Sequence, residues 1–237
     1  MPPPLSPASR KGVLLVALLS IPLIASAEPQ ITFWGVHPAS LLIPVGYALG
    51  LRLLAQMHEA PMWHPVETDE TREEVSEPDR EGGKSDTGLW LRFALYAGVT
   101  AVAGWVIGEA SLALVEITGM GESAVGTVFA GVANSLPELV TAIAAVRIGA
   151  VSLAVGDVIG GNAFEVMFLS AADFFDDGSI YAAIGPADRS TALITMLMTG
   201  VLLLGMLRRQ KTGPVRIGFE SVLVLGLYVG SVVLVLL

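Results

Sequence analysis

The chain has 237 residues, 53% apolar and 15% charged, with a net charge of −9 and a mean hydropathy of +0.69. That composition excludes a single soluble domain and excludes disorder, and it marks an integral membrane protein. There is no cysteine, which excludes disulfide frameworks and thiolate metal sites, and ten of the 22 acidic residues lie between Glu59 and Asp86, leaving the remainder near charge balance.

A hydrocarbon layer about 30 Å thick takes about 20 helical residues to cross. By that measure the apolar runs predict seven spans, near 13–27, 39–54, 91–114, 124–146, 151–172, 191–207 and 215–237. The runs are long and continuous and lack the alternation of barrel strands, so the predicted fold class is an all-α membrane protein. Three regions follow: a two-helix membrane segment over 1–57, an acidic linker over 58–88, and a five-helix membrane region over 89–237.

The first span admits two readings. Arg10 and Lys11, a short apolar run and Ala25-Ser26-Ala27 before Glu28 suit a retained helix, which is the reading adopted, and also a signal peptide with its cleavage site. Cleavage leaves six spans in the same orientation. After the second span, Glu67, Asp69, Glu70, Glu73, Glu74, Glu77, Asp79 and Glu81 have almost nothing apolar around them, as in a solvated cytoplasmic linker. Arg10, Lys11, Arg52, Arg92, Arg147, Arg208, Arg209 and Lys211 fall on one face after alternating crossings, while Glu28, Glu122 and the run Asp173, Asp176 and Asp177 fall on the other. Basic residues accumulate on the cytoplasmic side, which predicts a cytoplasmic N-terminus and an outside C-terminus. On the third span, Glu109 and Glu116 stand seven apart on one face, suited equally to an access path or to interfacial hydrogen bonding.

The fourth span contains Gly131-Val132-Ala133-Asn134-Ser135-Leu136-Pro137-Glu138. Pro137 has no N–H and collides with the carbonyl four residues back, so the turn at Ala133 opens and its carbonyl is offered as a ligand. Asn134 and Glu138 share a face, with Ser135 beside them. A proline kink with mutually satisfied polar groups accounts for Asn134 and Ser135, but it leaves Glu138 charged and unpaired unless a cation or proton is present. The fifth span sets Asp157, Gly161 and Glu165 on one stripe, and Gly156 and Gly160 form a small-residue pattern that lets helices approach closely. A carboxylate at the bilayer centre costs about 2.5 to 3.5 kcal/mol on insertion scales, so three of them in two spans point to ion handling. Carboxylate, amide, hydroxyl and carbonyl oxygens suit a hard cation such as calcium or sodium. His37, His58 and His64 read as loop residues rather than metal ligands.

Taken in order, these residues resemble the second α-repeat of the cation/calcium exchanger superfamily, the sodium/calcium antiporters and their bacterial relatives. The family pattern Gly-Thr-Ser-Leu-Pro-Glu is matched by Ala133-Asn134-Ser135-Leu136-Pro137-Glu138, preceded by Gly126-Thr127. The pattern Gly-Asn/Asp-Val-Ile-Gly-Ser-Asn-x-Phe-Asn is matched by Gly156-Asp157-Val158-Ile159-Gly160-Gly161-Asn162-Ala163-Phe164-Glu165. The resemblance covers about 89–237, with the repeat at 126–168. It implies a secondary active antiporter, not an enzyme, that exchanges calcium for sodium, potassium or protons by alternating access. It implies no resident cofactor, and calcium with sodium, potassium or protons as transported ligands.

Carried over position by position, the resemblance makes Glu138 and Asp157 cation ligands, with Ser135, Asn162 and backbone oxygens near Ala133 and Asn134 completing sites. The chain departs from the pattern at Asn134 for threonine, Gly161 for serine and Glu165 for asparagine, which bears on the number and selectivity of sodium-type sites. The additional carboxylate favours proton coupling, because neighbouring carboxylates readily hold a proton between them. Family members pair two inverted repeats around a midplane site, and one repeat is readable here. The implied partners are therefore membrane lipid, metal cations, and either further copies of the chain or a second chain carrying the other repeat, with no role for nucleic acid. The implied location is a bacterial-type cell membrane. Two rivals stand beside the antiporter: a non-transporting or partner-dependent subunit or truncated half-exchanger, and an intramembrane aspartyl protease, for which Gly156-Asp157 lacks a Tyr-Asp partner.

Overall fold

The structure is a computed structural model that describes residues 7–59, 86–208 and 218–236. Its helices, in chain order, are α1 (Pro7–Ala27), α2 (Pro38–Glu59), α3 (Asp86–Thr118), α4 (Glu122–Val125), a π-helical turn (Gly126–Ala130), α5 (Gly131–Asn134), α6 (Leu136–Arg147), α7 (Val151–Asp173), α8 (Ile180–Ala183), α9 (Pro186–Arg208) and α10 (Phe219–Leu236). Among the described residues no strand forms, and one isolated bridge joins Phe33 and Val36. Among the described residues six helices are long and apolar enough to cross a membrane, and the bent pair Glu122–Asn134 and Leu136–Arg147 makes a seventh if it counts as one crossing. The protein is an all-α, multi-pass membrane protein.

The first two helices are longer than their apolar runs, at 21 and 22 residues. Hydropathy marks only the greasy middle of a helix, whereas Pro7 and Pro38 stand at first helical positions, where a missing N–H costs nothing, and start each helix in its polar flank. At the other end α2 continues to Glu59, and α3 already begins at Asp86. The intervening 60–85, most of the predicted acidic linker, lies outside the described residues.

Helix α7 is the hub. It packs on α1, α2 and α6, while α9 packs on α1 and α10. The core joins Leu15, Leu18 and Ala25 of α1, Ala39 and Ile43 of α2, Ile159, Ala163 and Val166 of α7, and Tyr181 of α8. Two glycines of α2 face α1: a Cβ at Gly46 would be in ordinary contact with the Leu18 side chain at 3.5 Å, and one at Gly50 would overlap Leu14 unless that side chain shifted. The two N-terminal helices thus share one core with the C-terminal region. Helix α3 has no buried residue in its span and rests on α4 and the π-helical turn. Glu109 and Glu116 are exposed along it.

A buried polar knot fastens α2 to the far end of α7. Asp173 is fully buried. Its Oδ2 accepts the His37 N–H at 2.8 Å and the Ser40 hydroxyl at 2.7 Å, and its Oδ1 accepts the Ile180 N–H at 3.0 Å. Because Ser40 gives its proton to Asp173, the Tyr181 hydroxyl at 2.9 Å donates to Ser40. The Ser170 hydroxyl donates to the Ser40 carbonyl. His37 Nδ1 accepts the Ala39 N–H at 3.1 Å, and the His37 ring lies 4.9 Å from that of Tyr181. An anion supplied by one helix thereby caps the N-terminus of another, where dipole and orphan N–H groups favour it.

The knot changes two sequence readings. His37 precedes α2 as a loop residue should, but it is buried and engaged. Asp173 is withdrawn from the acidic outer run, leaving Asp176 and Asp177 exposed. At the same end Arg189 Nη2 donates to the Ser26 carbonyl at 2.7 Å, tying α9 to α1.

Replacing Asp173 by Ala leaves three donors without their acceptor, at a cost of about 3 kcal/mol or more. The variant should melt well below the parent in detergent, while Asp176→Ala should melt with it. Burial raises the Tyr181 hydroxyl above its ordinary 10.0, and the Asp173 charge adds to the rise. The neutral phenol is therefore favoured in the folded state, so its contribution is complete below pH 10.0 and is lost as pH climbs toward the folded value. Melting temperatures above that pH should fall more steeply for the parent than for Tyr181→Phe.

Candidate cation site

The segment 122–147 would be one straight helix but for two local defects. Gly131 N–H bonds to the Gly126 carbonyl five residues back, a π-type turn. Gly131 suits that turn because a Cβ there would stand only 3.3 Å from the Gly126 oxygen. Next, Pro137 withholds the N–H that would bond Ala133, and Ser135 takes φ −89° and ψ 0° between α5 and α6. The two halves bend by 41°. The opened turn is where the proline predicted it.

The bend aims α5 and α6 at α7. Asn134 Nδ2 donates to Glu165 Oε1 at 3.0 Å. One turn past the break, the Thr141 hydroxyl stands 3.0 Å from the Glu138 carbonyl and 3.1 Å from Asp157 Oδ2, so its single proton serves one or the other. Among the described residues Glu138 Oε2 is buried without a hydrogen-bond partner, and Glu138 lies within electrostatic reach of Glu165. Ala133, Glu138 and Glu165 are half-buried, whereas Asn134, Ser135, Asp157 and Asn162 are exposed. The structure thus brings together Asn134 with Glu165, and Asp157 with the Glu138 turn. Among the described residues no three His, Asp or Glu side chains converge as a closed metal site. What results is an open polar face: carboxylate, amide, hydroxyl and carbonyl oxygens on two helices, chemistry suited to a hard cation.

Two residues here escaped the sequence reading. Thr141 sits three positions after Glu138, and that spacing, which puts it on the carboxylate's side of α6, was the available signal. Lys11 counted only as a topology charge, yet its Nζ donates to the Gly156 carbonyl at 3.1 Å. Gly156 and Gly160 face this side chain: a Cβ on either would lie 3.5 Å from Lys11 Nζ, in ordinary contact. Of the histidines, His37 is held in the α2 knot, His58 falls in the last turn of α2, and His64 lies outside the described residues.

The family model for the sodium/calcium exchanger protein matches residues 87–237, more than half of the chain. Inner membrane protein YrbG of Escherichia coli (strain K12) is 36% identical over 99 residues, 42% of this chain and 30% of that protein. Sodium/calcium exchanger MaX1 of Methanosarcina acetivorans is 35% identical over 80 residues, 32% of this chain and 23% of that protein. The chain thus spans less than a third of the length of these curated relatives. No solved structure gives a significant match. The matched region begins with α3 and includes the broken helix, α7 and both polar pairs, and the chain belongs to the sodium/calcium exchanger family.

Proposed function

We propose that the chain is half of a cation antiporter, exchanging calcium for sodium, potassium or protons, with Glu138 and Asp157 as the central ligands. The observation that carries this reading is the buried, unpartnered Glu138 Oε2 at a helix break, set beside the Thr141–Asp157 and Asn134–Glu165 pairs. An anionic oxygen withheld from both water and donors is stabilised by a bound cation or proton. Ser135, Asn162 and the Ala133 carbonyl would supply further oxygens. A helix already broken by Pro137 and a π-type turn can change its bend without losing further backbone bonds, as alternating access requires.

The open face supports a second element of the proposal. Because Asn134, Asp157 and Asn162 are exposed within membrane-length helices, the site is completed by another repeat, from a further copy of the chain or from a second chain. The same openness favours the rival, a non-transporting subunit that keeps the fold but lacks a complete site. The proposed location is a bacterial-type cell membrane with a cytoplasmic N-terminus, and α1 is retained, since it contributes Leu15, Leu18 and Ala25 to the core.

Purified chain in proteoliposomes should carry calcium against imposed sodium, potassium or proton gradients, with flux reduced at least about tenfold in Glu138→Gln and in Asp157→Asn. Unchanged flux in Glu138→Gln would sink the ligand assignment, while a folded chain without flux would favour the subunit. Orientation is checked separately. The chain has no cysteine, so single cysteines introduced at Arg147 and at Asp177 should react with an impermeant thiol reagent from opposite sides, the former from the cytoplasm.

A further inference from the structure

We propose that Lys11 is a tethered counter-ion to Asp157, and that its ammonium and the transported cation exclude one another there. The proposal rests on the cation-antiporter reading and adds to it a residue from outside the repeat. Lys11 lies in the second turn of α1, within a membrane-length helix. An ammonium at such a place needs an acceptor or a route to the interface. Its acceptor is the Gly156 carbonyl at 3.1 Å, immediately before Asp157 in the chain. At Gly160 a Cβ would be in ordinary contact with Lys11, 3.5 Å from Nζ, 3.6 Å from Cδ and 3.9 Å from Cε, so the end of the lysine stem lies against the α7 backbone there.

Lys11 and Asp157 line one cavity of about 210 Å³, together with Tyr47, Gly156, Gly160 and Gly161. A water takes roughly 30 Å³, so the cavity holds several waters, or a hydrated cation in their place. Among the described residues Asp157 accepts at most the one side-chain hydrogen bond that Thr141 can offer, and the exposed residue lines the cavity. Asp157 is the seventh residue of α7, about 9 Å along the helix from the Val151 end. Lys11 comes from the matching end of α1, so its ammonium reaches the Gly156 carbonyl from the Arg147–Val151 side of the membrane and shares the cavity that Asp157 lines. A carbonyl that could serve an incoming cation therefore already holds a positive charge, one residue from the carboxylate. Entry of a cation displaces the ammonium, and departure of the cation lets it return. The carboxylate is thus never left bare in the membrane, and the affinity for the cation is held down by the charge it must displace.

The test uses the full chain in detergent, with Lys11→Met, Lys11→Arg, Asp157→Asn and the Lys11→Met/Asp157→Asn double variant. Equilibrium calcium binding should tighten at least about tenfold in Lys11→Met, stay near the parent in Lys11→Arg, and show no gain from Lys11→Met when Asp157 is already Asn. In cation-free buffer the melting shifts of Lys11→Met and Asp157→Asn should be non-additive, as for two groups in one interaction. Unchanged affinity in Lys11→Met, in a parent that binds calcium, would overturn the role of Lys11 and leave the transport reading intact. Additive melting shifts would overturn the pairing whatever the calcium data. Calcium bound by none of the chains, with the shifts still non-additive, would overturn the transport reading and the exclusion together, leaving only the pair.

Discussion

A carboxylate inside a bilayer has to be met by a donor, an ammonium or a cation, and α7 imposes that demand three times. Asp157, Glu165 and Asp173 follow one another at eight-residue intervals along it. Each is answered by different elements. Asp157 faces Thr141 of α6 and shares a cavity with Lys11 of α1. Glu165 takes the amide of Asn134 at the end of α5. Asp173 takes the N-terminus of α2 and the start of α8. The elements gathered around α7 are thus the ones that answer its charges, and apolar contacts such as Leu18, Ile43 and Ile159 fill the space between them.

The three matches differ in how complete they are, and the difference sorts scaffold from site. Asp173 is fully buried with both oxygens accepting, as a fixed cap should be. At Asp157 and Glu165 one side-chain donor each is supplied, and near them Glu138 keeps an oxygen buried without any. Incomplete satisfaction is costly for a scaffold but is what a site needs if a cation is to come and go. The break at Ser135 and the π-type turn at Gly126–Ala130 interrupt the helix at the level of the carboxylates and make it bendable beside the proposed cation ligands.

Composition and the apolar ruler made the all-α membrane fold legible, because lipid leaves a polypeptide of this hydropathy few alternatives. The helix break was legible for an equally local reason, the missing N–H of Pro137. The face shared by Asp157 and Glu165 followed from four-residue spacing along one helix. Contacts between distant segments were not legible. Nothing in the stretch around Lys11 announces that it meets Gly156, and nothing in Asp173-Phe174-Phe175-Asp176 tells which aspartate is withdrawn to cap α2, since both depend on how α1 and α2 pack on α7. The glycines were read as permitting helix approach, and what the pattern did not tell is that Gly156 and Gly160 face the Lys11 side chain of α1. The period of a pattern gives a face, but the neighbour that fills it is a property of the fold.

If Glu138 and Asp157 serve a transported cation, the opened turn of the broken helix is reached by water and cations rather than sealed by lipid. With no native cysteine in the chain, one residue can be probed at a time in membranes. Ser135→Cys, at the break, should react with a charged thiol reagent and be protected by calcium, while Val140→Cys, on the exposed apolar side of α6, should not react. Labelling of Ser135→Cys that calcium leaves unchanged, or no labelling at all, would contradict the account.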